Sequence, residues 1–143
     1  MVRKWCIVQL SQVGRDTIKA IEESNVTIMI SEEKPFNGIR GYERNGTVVL
    51  YPKNAKNRKV AGQTLIHEMA HVRFGIGNCQ HAEAICFSME KMHIENRNWL
   101  TLEEWEKMKT LAKEAYGELE WEDSGYGEYG QFSFVKPNTE NKG

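Results

Sequence analysis

Two histidines four residues apart, His67 and His71, lie inside the run Leu65-Ile66-His67-Glu68-Met69-Ala70-His71-Val72. On an α-helix that spacing puts both rings on one face, a turn apart. The neighbours Leu65, Ile66, Met69, Ala70 and Val72 make the same helix apolar on several sides, so it belongs inside the protein rather than on its surface. A chain that buries two imidazoles and a glutamate in its central helix has to build polar partners around them.

The predicted helix starts near residues 54–57 and stops at Gly75, where a left-handed cap suits glycine. A loop over 75–80 leads to a second helix over 81–95, carried by Ala82, Ile85, Met89 and Met92 at three- and four-residue steps. Thr101 and Glu104 form a capping box for a third helix, with Leu100 set to staple onto Trp105, and Trp105, Met108, Leu111, Ala112 and Ala115 form its predicted buried stripe. Upstream, a short strand is expected at 5–10, a helix at 14–24 and strands at 26–30 and 47–51. The connection 32–46 carries Pro35, Gly38, Gly41 and the Asn45-Gly46 pair and has room for a hairpin. The expected class is α+β: a small twisted, mainly antiparallel sheet packed on the helix of His67 and His71, with two further helices completing the core.

At 143 residues one domain is expected, with the Gly- and Tyr-rich tail 117–143 wrapping the core or staying partly flexible. Nineteen basic against 20 acidic side chains leave a net charge of -1, so no broad electropositive face for nucleic acid is expected. The apolar run after Arg3 and Lys4 breaks at Gln9, too short for a signal peptide, and no stretch has the roughly 20 apolar residues of a membrane span. A soluble, cytoplasmic protein is the expectation. Three cysteines, Cys6, Cys79 and Cys86, are too few for a disulfide framework.

His67-Glu68-x-x-His71 is the HExxH pattern. In it both imidazoles hold one zinc ion, and the glutamate beside the first histidine serves as general base toward an activated water. Hydrolysis of a peptide bond is the chemistry those roles suit, with Glu68 as the catalytic residue and a protein or peptide as substrate. A catalytic site needs a third protein ligand, for which His81, Glu83, Glu90 and His93 are the downstream candidates. Glu83 is preferred, because a short antiparallel return after Gly75 brings the start of the next helix back over the histidines; His81 is the main alternative. A structural zinc site from Cys79, His81, Cys86 and His93 is a separate possibility. Arg73, His93, Tyr116, Tyr126 and Tyr129 are candidates to stabilise an oxyanion, and the strand 47–51 is a candidate edge for pairing with an extended substrate.

His67 to Phe74, followed by His81-Ala82-Glu83-Ala84-Ile85-Cys86-Phe87-Ser88, resembles the ImmA/IrrE group of gluzincin-type metallopeptidases, in which HExxH precedes a helix of the form E-x-E-A-N-x-F-A. Glu83, Ala84 and Phe87 fall on its Glu, Ala and Phe. The resemblance spans about 60 residues and implies that Glu83 is the third zinc ligand. His81 stands where the group has its first acidic residue and Ile85 where it has Asn, and the gap from His71 to Glu83 is short for the group. Small metallopeptidase toxin domains carry similar motifs, which adds an inhibitory partner protein to the expectations. The reading from a different class is a zinc-binding regulatory or interaction module without proteolysis.

Overall fold

The computed structural model describes residues 11–75, 79–117 and 134–136. The expected strand at 5–10 and most of the tail after 117 lie outside the described residues.

Helix α1 (Gln12–Glu23) is capped by Ser11, whose hydroxyl accepts from the Gly14 amide at 2.9 Å. Strands β1 (Thr27–Ile30), β2 (Gly41–Arg44) and β3 (Thr47–Leu50) form one sheet in the order β1-β3-β2. The hairpin allowed for in the connection is present: Asn45 and Gly46 both have positive φ, 53° and 82°, the conformation that a tight turn between twisted strands requires. The fold is α+β, as expected.

The pairing is mixed rather than mainly antiparallel. β3 pairs antiparallel with β2 and parallel with β1. The hairpin inserts β3 between the other two strands, and Val48, Val49 and Leu50 are all buried in consequence. The strand read as a possible edge is therefore the centre of the sheet, and among the described residues β1 and β2 are its edges. Gly41, at the start of β2, lets that edge approach the helices closely. A Cβ there would stand 2.7 Å from the Val49 carbonyl oxygen and 3.0 Å from Cγ2 of Thr64.

A 3-10 turn (Pro52–Asn54) leads to α2 (Arg58–Phe74), capped by Asn57 and closed by Gly75 at φ 59° and ψ 31°. Helix α3 (Gln80–Ile94) is the most enclosed helix among the described residues, with every residue from His81 to Cys86 buried. It packs on α2 on one side and on α4 (Leu102–Ala115) on the other. The capping box of Thr101 and Glu104 is formed, and Leu100 and Trp105 are both fully buried. Of the predicted α4 stripe, Trp105, Met108 and Ala112 are buried, whereas Leu111 is 45% exposed and Ala115 is exposed. The buried stripe is therefore narrower than the apolar pattern of the helix. Strand β4 (Leu100–Thr101) pairs with β5 (Val135–Lys136), and Phe134 meets Trp105 edge-on at 5.8 Å, so this part of the tail lies against the core. No helix among the described residues is long and apolar enough to cross a membrane.

Candidate metal centre

Helix α2 presents His67 and His71 on one face, with ring centroids 5.9 Å apart. The chain turns at Gly75 and re-enters α3 at Cys79, whose Sγ accepts from the Ala82 amide at the helix N-terminus. The packing of α3 on α2 brings Glu83 to the histidines. Its Oε1 is 2.9 Å from His67 Nε2, and its Oε2 is 3.1 Å from His71 Nε2. Seven residues further along the same face of α3, Glu90 Oε2 stands 2.5 Å from His67 Nδ1. Cys86, between the two glutamates, completes a group: one donor atom each from His67, His71, Glu83 and Cys86, all within 4.8 Å of one another.

These four side chains can hold a metal ion. Imidazole nitrogen, carboxylate oxygen and thiolate sulfur are the donors zinc takes, and in a tetrahedron neighbouring N and O donors lie about 3.3 Å apart. The two Glu83–histidine separations are close to that. Glu90 occupies the place of an outer partner, because a histidine that donates Nδ1–H to a carboxylate has its tautomer fixed with Nε2 turned inward.

Without an ion, protons hold the group together. Burial lowers the basicity of His67, but its hydrogen bonds to Glu83 and Glu90 outweigh this and take its pKa to about 10. His71 is raised as well, burial again being outweighed by Glu83. Burial would raise the Glu83 carboxyl, yet hydrogen bonds from both imidazoles pull it down to about 2. Glu68 is different: burial raises it, the charges of His67 and His71 oppose this, and Glu83 and Glu90 push it up further.

Glu68 and His67 open onto a cleft of about 360 Å³. Its walls are residues 37–41 before and into β2, Thr64 on α2, Phe87 and Glu90 on α3, and Ala115 and Tyr116 at the end of α4. Neither family models, curated proteins nor solved structures give a match to the chain. The chemistry of the centre has to be read from its own side chains.

His81 does not join the group. It is buried with its ring edge-on to Trp105 at 5.7 Å, because two residues along a helix turn it away from the Glu83 face. The separate set of Cys79, His81, Cys86 and His93 is not assembled either: His93 Nδ1 pairs with the Ser11 hydroxyl at 2.5 Å, while Cys86 faces the α2 histidines. Among the oxyanion candidates, Arg73 stacks over Phe74 and reaches toward Thr17, and His93 is engaged with Ser11. Tyr116 lines the cleft. Tyr126 and Tyr129 lie outside the described residues. Sequence reasoning missed Cys86 as a member of this group and Glu90 as the partner of His67. Their signal was the spacing 83, 86, 90, which repeats a single helix face.

Proposed function

We propose that the protein is a zinc-dependent peptidase in which His67, His71 and Glu83 hold the ion and Glu68 is the general base. The observation that carries this reading is the meeting of the Glu83 carboxylate with both imidazoles beside a cleft that Glu68 lines. Bound there, zinc would supply a Lewis acid that polarises a peptide carbonyl and acidifies water. The similarity of the HExxH and Glu83-Ala84 segments to the ImmA/IrrE metallopeptidases points the same way.

Each side chain then has a defined task. Glu68, raised above the ordinary carboxylate range by burial, accepts a proton at its carboxylate and returns it to the departing amine. Burial and the nearby carboxylates of Glu83 and Glu68 raise the Tyr116 phenol, so it keeps its proton and donates to a developing oxyanion. Glu90 holds the His67 ring in register. An extended peptide can pair along β2, a sheet edge among the described residues, whose approach, residues 39–41, forms the cleft wall.

The test is Glu68→Gln assayed on a broad peptide library with metal content measured in parallel. Cleavage should fall by roughly 10²–10⁴-fold, the range for loss of a general base, while zinc content stays the same. Undiminished cleavage by the variant would remove Glu68 from the mechanism. If the zinc-loaded wild type cleaves nothing in the library, the non-proteolytic metal module becomes the better account.

A further inference from the structure

The peptidase reading above uses three of the four grouped donors, His67, His71 and Glu83, and gives the fourth, Cys86, no task. Cys86 follows Glu83 by three residues on α3 and therefore shares its face. Its side chain is fully buried, it is not in a disulfide, and its thiol has no hydrogen-bond partner among the described residues. Buried cysteines elsewhere act as small apolar fillers. The surroundings of this one are not those of a filler, because its sulfur lies within 4.8 Å of donor atoms from two imidazoles and a carboxylate. A polarizable sulfur aimed at such a group has one chemical use that alanine or valine could not serve.

We propose that Cys86 is a fourth protein donor to the ion, giving a set of two nitrogens, one oxygen and one sulfur. The proposal rests on the metal-centre reading above. On binding, the S–H bond breaks, its proton leaves for solvent, and the sulfur electron pair bonds the ion, with no change of oxidation state. Such a set selects borderline-soft divalent ions, zinc and cobalt, over magnesium and calcium, which prefer all-oxygen shells. The cleft is lined by His67 and Glu68 but not by Cys86, so the sulfur comes from the closed side of the centre. With four protein donors a tetrahedral shell would be full, so a water or substrate oxygen arriving from the cleft would have to enter as a fifth donor.

Cobalt(II) in place of zinc reports the sulfur directly. The full chain loaded with one equivalent of Co²⁺ should show a near-ultraviolet sulfur-to-cobalt charge-transfer band in addition to the visible ligand-field bands. Cys86→Ser and Cys86→Ala should lose the charge-transfer band, and Cys79→Ser should keep it. A wild-type spectrum without the charge-transfer band decides against the proposal even if a Cys86 variant folds poorly. Ligand-field bands without a charge-transfer band in the wild type, or a band lost in Cys79→Ser, would overturn the sulfur ligand and leave the metal centre standing. No stoichiometric uptake of cobalt, or uptake undiminished in His67→Ala, would overturn the metal centre itself and the Cys86 proposal with it.

Discussion

Stripped of metal by a chelator, the protein should lose stability as pH rises from 7 to 9.5. The cause is the His67 imidazolium, held between Glu83 Oε1 at 2.9 Å and Glu90 Oε2 at 2.5 Å with its pKa raised from 6.5 to about 10. Between those two values the folded chain keeps a proton that the unfolded chain has released. Stability is therefore fully present below pH 6.5 and is lost as pH climbs through about 10. One proton corresponds to about 1.4 kcal/mol per pH unit, so the interval from 7 to 9.5 should remove roughly 3 kcal/mol from a total of about 5–15 kcal/mol. His71, also raised, and the Cys86 thiol, pushed well up by burial and the nearby carboxylates, act in the same direction. Glu83 describes the same ion pair from the other side. Its pKa is depressed to about 2, so its contribution is present above 4.5 and lost as pH falls toward 2, and the two contributions are not summed. Urea denaturation in the presence of chelator at pH 7, 8 and 9.5 measures the slope, and Glu83→Gln should flatten it. With saturating zinc the slope should shrink, because binding already requires neutral imidazoles. Metal-free stability that is level or rising over this range would refute the arrangement of protons described for the centre.

Two further substitutions test the supports of the site. Glu90→Gln keeps an acceptor for His67 Nδ1 but loses the charge, and zinc affinity measured by chelator competition should fall about 10–100-fold. Gly41→Ala places a methyl group 2.7 Å from the Val49 carbonyl oxygen, so β2 must shift; a loss of about 1–3 kcal/mol is expected in urea denaturation, as for other overpacked positions.

The elements that could be read from the sequence are those fixed by neighbours along the chain. Thr101 with Glu104, Gly75 after α2, and Asn45-Gly46 in the hairpin each satisfy local backbone groups, and each stands where expected. Strand order was harder, since it depends on partners far away in sequence. Even so, the unbroken apolar run Val48-Val49-Leu50 carried the signature of a strand covered on both faces. Leu111 misled because apolar character widens a predicted stripe, whereas the width actually buried depends on tertiary neighbours that the sequence does not display; Leu111 is 45% exposed. At the centre, the spacing of His67 and His71 was legible because a helix makes it local. The choice between Glu83 and His81 depended on the rotation of α3 against α2, which local spacing leaves undetermined. Cys86 was read as part of a different set because its partners come from the other helix.

The donors sit on the two helices whose contact forms the most deeply buried layer of the protein. Leu65, Ile66, Met69 and Ala70 on α2 and Ala82, Ala84 and Ile85 on α3 are each 0–1% exposed, so the spacing between His71 and Glu83 is fixed by close packing rather than by a flexible loop. Three carboxylates and two imidazoles at such a place would repel or remain unsolvated if nothing neutralised them. In the metal-free chain the neutralising agents are protons on the histidines; a divalent ion would do the same with stronger bonds, at the cost of expelling those protons. Metal and proton would thus compete for one set of side chains that the fold holds in place either way. It follows that metal should stabilise the fold most where protons do so least, at the alkaline end of the range, since an ion that binds only the native state adds about 4 kcal/mol at a thousandfold excess over Kd. A core substitution that loosens α2 from α3, such as Ile85→Ala, should for the same reason weaken metal binding and metal-free stability together, although Ile85 is not itself a donor.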